Sequence, residues 1–301
     1  VFLVPDATHP VGILNRNGYA GMATLAAVVM AVSIVLSSIG LHHEIPLLPQ
    51  IPKSRETLAE HFADFLRTVR NRGFLILMAA GVFAYTAQGV SFALSTYMYQ
   101  FVWQFAGRDF NWLSLALMIG ALGAFFLAPA LTKGGDKPRI GMIASFGAAV
   151  LLVSPYVLRL AGWFPEPGSP LLLPVLLTIF AANTACGVSA FILGAAMLSD
   201  VVEESEVRTG KRSEGVFFAG GFFVQKLVGG LGIFMASAIL AFAQFPQGAR
   251  PGMVPTETLD RLTIVFIALE LAFYGMAGLC YARFPFGRAD HDARLVSAAR
   301  G

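Results

Sequence analysis

The chain has 301 residues, 56% of them hydrophobic and only 13% charged, with a net charge of +3. Soluble domains carry about one-quarter charged residues, so this composition excludes an ordinary water-soluble globular fold. The small positive excess lies in loops and gives no reason to invoke a nucleic-acid partner.

Apolar runs of about 20 residues, the length that crosses a ~30 Å hydrocarbon core, recur from end to end. They predict an all-α polytopic membrane protein with seven spans. Residues 1–20, with "HPVGILNRNGY", read as an external loop, because Pro, Gly and Asn break any helix. The first span runs from Gly21 to Gly40. In "LHHEIPLLPQIPKS" the prolines impose an extended path, and His42 and His43 read as solvated loop residues. Ser54 can cap a helix with Glu56 in its first turn. Leu58, Phe62, Phe65, Leu66 and Val69 follow at spacings of three and four, an amphipathic stripe suited to a membrane surface. Residues 41–72 are thus a linker containing a surface helix.

Six more spans follow: Phe74–Tyr97, Trp112–Leu131, Ile140–Leu160, Pro170–Ser199, Gly215–Phe242 and Leu262–Tyr281. They make residues 73–283 a six-helix unit, with a tail at 284–301. The Pro170–Ser199 run is long enough to tilt or to extend past the bilayer. Cys186 and Cys280 lie inside apolar runs without metal-ligand spacing and read as small buried side chains.

Alternating loops sort Lys and Arg about three to one in favour of the side holding the linker, the 133–139 and 208–212 turns and the tail. That side is expected to be cytoplasmic, so residues 1–20 face out and the C-terminus faces in. One span, a long cytoplasmic linker and six spans match part of a six-plus-six transporter plan. The chain starts at Val1 rather than Met. Both facts lead to the expectation that about five helices of an N-terminal half lie upstream, and that residues 1–40 hold that half's external loop and last helix.

Charge gathers at one hairpin, "SDVVEESEVRTGKRSEG", residues 199–215. Asp200, Glu203 and Glu204 stand at i, i+3 and i+4, on one-third of a helix circumference. Arg208, Lys211 and Arg212 balance them across a turn broken at Gly210. An acidic mouth to a cavity and an ion-pair network closing the cytoplasmic side both fit this pattern. Lys226 reappears about 11 residues into the next span, ~17 Å deep at 1.5 Å per residue, too deep for its stem to reach either surface. A central Lys costs about 2.5–3.5 kcal/mol on insertion scales, which predicts a hydrated, acid-lined passage or a paired carboxylate. Glu270 is a second midplane charge and a candidate partner for Lys226. Tyr85, Gln88, Ser91 and Ser95 form a polar stripe on one span. Asn183 is an isolated polar group at depth. Interhelical hydrogen bonding is the plain alternative for the stripe and for Asn183, and a purely structural ion pair or role is the alternative for Lys226 and Glu270.

The stretch "AMLSDVVEESEVRTGKRSEGVFFAGGFFVQK" resembles the tenth–eleventh helix hairpin of the glycoside–pentoside–hexuronide:cation symporters, the melibiose permease-like family of the major facilitator superfamily. There a helix ends in A-D-x-V-D/E-x-x-E, followed by a short basic turn, aromatics and V-x-K. Asp200, Glu203 and Glu206 match the acidic positions, Arg212 the basic turn and Lys226 the lysine. The resemblance implies that these residues lie along a central pathway or its gate. It also implies that Phe191, where the melibiose permease has Trp, occupies a sugar-packing position, with Tyr85 and Gln88 as further candidate solute contacts. Outside about thirty residues the likeness rests on span order and the linker; "LTKGGDKPR" is only faintly similar to the superfamily's cytoplasmic turn.

The expected activity is secondary active transport: a sugar or glycoside moved with Na+ or H+ by alternating access, in a bacterial inner membrane. The expected partners are the solute, a monovalent cation, the lipid bilayer and the N-terminal half. No cofactor is expected, and the main ion site is expected in that other half. A lysolipid or organic-anion cargo on the same fold, or a truncated non-transporting sensor or scaffold, are the rival readings. No catalytic constellation or nucleotide-binding loop points to an enzyme.

Overall fold

The computed structural model describes residues 16–47, 70–133, 136–210 and 213–285. The expected surface helix after Ser54, Lys211, Arg212 and the tail from residue 286 lie outside the described residues. The chain divides into two compact units, residues 1–57 and 58–301.

In the first unit, α1 (Arg16–Leu41) is an apolar helix whose side chains from Tyr19 onward are exposed. It runs into a short 3-10 turn, His42–Leu47, that includes Pro46. The extended path expected from His42 onward is therefore not taken there; a 3-10 turn commonly tightens a helix end and, being short, tolerates a proline. His43 meets Glu44 at 2.9 Å, both exposed.

Among its described residues the second unit holds six helices: α2 (Arg72–Tyr97, continued by a wider π-turn at Met98–Val102), α3 (Gly107–Thr132), α4 (Lys137–Leu160), α5 (Leu172–Thr209), α6 (Glu214–Phe242) and α7 (Thr256–Ala282). With α1, these are seven helices long and apolar enough to cross a membrane. Several start or stop a few residues outside the apolar runs. Helical hydrogen bonding is cooperative and carries polar turns along once the apolar stretch has formed. The largest extension is in α5, which runs 38 residues, ~57 Å at 1.5 Å per residue. It carries the acidic cluster beyond the hydrocarbon and stops at Gly210, whose φ of +69° a Cβ would oppose.

Side-chain size rather than polarity decides which helix faces meet. On α3, Ala116, Gly120, Ala124 and Ala128 form a buried four-residue stripe, while Trp112, Ile119, Leu122, Phe125 and Phe126 are exposed. In lipid an apolar surface gains little by hiding, so small residues that let backbones approach mark the interfaces. A Cβ on Gly120 would lie 2.3 Å from the Ala181 carbonyl oxygen of α5, and one on Gly232 of α6 would lie 2.5 Å from that of Thr86 on α2.

The resulting pairing has an internal symmetry. Helix α2 packs on α6 and α7, α5 packs on α3 and α4, and α4 packs on α7. Exchanging α2 with α5, α3 with α6 and α4 with α7 leaves this pattern unchanged. Because three crossings separate equivalent helices, the two triplets run in opposite directions, the arrangement of an inverted three-plus-three repeat.

Two apolar layers hold the unit together. Near one end Trp103, Tyr156, Phe180, Phe266 and Val102 pack into a large aromatic cluster. Trp103 lies 5.3 Å, ring centre to ring centre, from both Tyr156 and Phe164. Near the other end Phe74, Met197, Val201, Val202 and Phe217 form a smaller cluster.

Candidate functional site

A cavity of about 300 Å³ lies among α2, α4, α5, α6 and α7, toward the end that carries the charged hairpin. Its walls repeat at helical spacing: Leu77, Gly81, Tyr85 and Gln88 from α2, and Phe218, Gly221, Phe222 and Gln225 from α6. Each helix therefore turns one continuous face toward it. From α5 come Gly187, Phe191 and Gly194, whose small members leave the space open, and Tyr274 and Tyr281 come from α7. The surface is mostly apolar. Tyr85, Gln88, Gln225 and Tyr274 interrupt it, and none of the four makes a hydrogen bond to another described residue. Their donors and acceptors are thus available at the wall, and Phe191, half exposed, offers a ring beside them.

Tyr85, Gln88 and Phe191 all line this cavity. Gln225, Tyr274 and Tyr281 were missed from the sequence. Gln225 adjoins the conspicuous Lys226 and Tyr274 follows Glu270 by one turn, so a signal existed for both; Tyr281, at a helix end, gave none.

The polar stripe on α2 splits. Below Tyr85 and Gln88, Ser91 Oγ lies 2.7 Å from Glu270 Oε1, and Ser95 Oγ donates to the Phe92 carbonyl at 2.7 Å. Asn183 donates from α5 to the Ala148 carbonyl of α4 at 2.8 Å, an interhelical bond. The pairing of Glu270 with Lys226 does not form. Lys226 is exposed, one position round α6 from the cavity-lining Gln225, and has no ion pair among the described residues. Among the described residues no carboxylate stands in the cavity wall, so an acid lining of the passage is not seen on this side. The acidic cluster sits beyond Leu198, where α5 leaves the apolar region.

At that end the cluster ties helices together. Lys137, in the first turn of α4, donates to Asp200 Oδ1 and Oδ2 at 2.7 and 2.9 Å. Asn71 caps α2 by accepting the Phe74 N–H at 3.1 Å, and its Nδ2 donates to Glu204 Oε2 at 2.6 Å. Arg208 stands 3.8 Å from Glu204, one turn along α5. Asp200 thus bridges to α4, Arg208 stands by Glu204 as part of the expected balance, and the parts assigned to Lys211 and Arg212 lie outside the described residues. The reason is the burial pattern of α5: Met197, Val201, Val202 and Ser205 are buried. Asp200 and Glu204 edge that face and reach neighbouring helices. Glu203 is exposed and Glu206 half-buried on the other side. Arg212 lies outside the described residues.

At the opposite end Arg159 of α4 stands 2.8 Å from Asp260 of α7 and ties the two helices, while Arg261 pairs with Glu257 one turn along α7 itself. The unit is therefore cross-tied at both ends around a partly polar space.

Comparison with known proteins agrees with this architecture. The family described as MFS/sugar transport protein matches residues 1–288. A curated relative, an uncharacterized symporter of Synechocystis sp. (strain ATCC 27184 / PCC 6803 / Kazusa), is 31% identical over 241 residues, covering 76% of this chain and 41% of the relative. The match thus covers less than half of that protein's length.

Proposed function

The chain belongs to the MFS/sugar transport protein family, and from that premise we propose that it is the solute-binding half of a cation-coupled symporter for a sugar or glycoside. The observation that carries this reading is the cavity. Small-solute sites are mostly apolar concavities of ~300–1,000 Å³ with a few placed polar groups. Tyr85, Gln88, Gln225 and Tyr274 are hydrogen-bonding groups suited to sugar hydroxyls, and Phe191 is suited to the apolar face of a sugar ring. In this reading a second half closes the open side. Alternating access then moves the two halves about the site.

In this reading the charged end faces the cytoplasm of a bacterial plasma membrane, as the Lys and Arg excess indicates. The Lys137–Asp200 and Asn71–Glu204 ties hold that end and yield when it opens, with Glu203, Glu206 and Arg212 completing the gate. Hydrogen bonds to charged groups contribute ~1.5–3 kcal/mol each, so opening this latch draws on the free energy of solute and ion binding. Lys226, beside the cavity, presents its charge to carboxylates of the other half and keeps them ionised, while Na+ or H+ supplies the driving gradient.

The test is uptake by the complete gene product in liposomes, with radiolabelled glycosides set against lysolipids and organic anions. Glycoside uptake driven by a Na+ or H+ gradient is expected, and Lys226→Ala should abolish solute-driven cation entry. Uptake of lysolipid alone would favour the amphiphile reading, for which the exposed Phe222 and Phe191 rings speak. Unchanged coupling in Lys226→Ala would remove that residue's role.

A further inference from the structure

Glu270 is fully buried, on the face of α7 that packs against α2 and α4. Its Oε1 has one partner, Ser91 Oγ at 2.7 Å. Its Oε2 is buried and has no hydrogen-bond partner among the described residues. The titratable groups facing it are Tyr156 of α4 and Tyr274 of its own helix, both uncharged at neutral pH. From α2 it meets only the Ser91 hydroxyl, and Lys226 of α6 is exposed and unpaired with it. No cation among the described residues compensates a negative charge there.

We propose that Glu270 is a proton-binding site of this protein, occupied in the conformation described. An ionised carboxylate buried without a counter-charge, with one of its oxygens unbonded, is among the costliest groups a membrane interior can hold. The neutral acid fits the same coordinates. Its Oε1–H donates to Ser91 Oγ, and Oε2 becomes a carbonyl oxygen, a group that tolerates under-satisfaction far better than a charge does. A hydroxyl can serve as donor or acceptor, so the 2.7 Å contact suits the protonated form.

Position gives the site a use. The cavity lining ends on α2 at Gln88 and on α7 at Tyr274. Ser91 and Glu270 lie one turn further on each helix, ~5.4 Å beyond. A proton from the cavity's solvent therefore has one turn to travel. Uptake joins H+ to the carboxylate and removes a charge. Release to the solvent restores that charge, which the α2–α7 contact cannot house, so the ionised form favours a conformer in which these helices part and the carboxylate meets water. The inference rests on the symport reading for its role in coupling, and names the proton as the ion.

The experiment uses the complete gene product in liposomes, with 13C-labelled glutamate and infrared detection of the protonated carboxyl C=O band. The spectra are taken at pH ~7, well above the ordinary Glu value of ~4.3. The wild type should show the band, Glu270→Gln should lose it, and Ser91→Ala should shift it by removing its hydrogen bond. A wild type without the band, or a band that survives Glu270→Gln, overturns the assignment. A band that vanishes when Na+ is added at constant pH does so too, and identifies a sodium site instead. If Glu270→Gln does not fold, Ser91→Ala decides: an unshifted band overturns the proposal. Glycoside uptake is measured in parallel. A wild type that carries no sugar but shows the band refutes the symport reading and leaves the proton site standing.

Discussion

Asn71 does two jobs with one amide. Its Oδ1 satisfies the Phe74 N–H at the start of α2, and its Nδ2 reaches Glu204 on α5. It is 2% exposed, so water cannot substitute for either bond. Losing a helix cap costs about 0.5–2 kcal/mol, and Glu204 would lose a charge-assisted partner as well. Asn71→Ala should therefore lower the thermal midpoint in detergent, with Asn71→Asp recovering little because Asp presents a second carboxylate to Glu204. Two glycines of the "GGLG" stretch of α6, residues 229–232, separate just as sharply. A Cβ on Gly232 would stand 2.5 Å from a backbone oxygen, whereas Gly229 has open space at that point. Gly232→Ala should destabilise by ~1–3 kcal/mol, as overpacking does, and Gly229→Ala should stay within ~0.5 kcal/mol. A thermal-shift comparison of the two checks this.

At the scale of elements, α5 is the one that joins membrane to charged end. Its apolar part forms the cavity wall, and its last three turns bind α4 through Asp200 and α2 through Glu204. The Asp200 side chain is 12% exposed and that of Lys137 is 37% exposed. Removing the lysine therefore strands a nearly buried carboxylate, whereas removing the aspartate frees a lysine that can turn to solvent. Lys137→Ala should cost more than Asp200→Ala, within the ~1–3 kcal/mol that covers hydrogen bonds to charged groups. The double variant should fall short of the sum of the two, because the pair shares one interaction. Gly210 sets where α5 ends. Gly210→Val forces a branched side chain into the left-handed region and should cost ~1–2 kcal/mol, read as a lower midpoint for the whole unit.

At the scale of the molecule, the described outer faces carry many large apolar side chains, which the surface of a soluble fold does not. Leu122 of α3 is 54% exposed at the middle of its helix. Leu122→Arg should weaken membrane insertion by ~2.5–3.5 kcal/mol, seen as a lower yield in the membrane fraction, while folding within the six-helix unit is left without a broken contact. The cavity can exist because packing is dense in two layers, the aromatic cluster and the Phe74–Phe217 cluster, with glycines and alanines between them. The inverted relation of the two triplets explains that placement, since it sets α2 and α5 as equivalent helices on either side of one space.

The sequence by itself determined that this is a membrane protein, how many long apolar helices the described residues hold and where the core of each lies. Hydropathy is a local property, and a run of ~20 apolar residues has one stable form in lipid. It also located the acidic hairpin, its break at Gly210 and three of the side chains that line the cavity, Tyr85, Gln88 and Phe191. Tertiary structure alone decided who meets whom. Asp200 finds Lys137 across 63 positions, and Glu270 finds Ser91 across 179. Nothing local in either segment names its partner, because these meetings depend on which helices lie side by side, and size-matched small residues choose that, not charge. Lys226 shows the same limit from the other direction. Its depth along the helix could be read from the sequence, but its outward aspect on α6 depends on which face α2 covers.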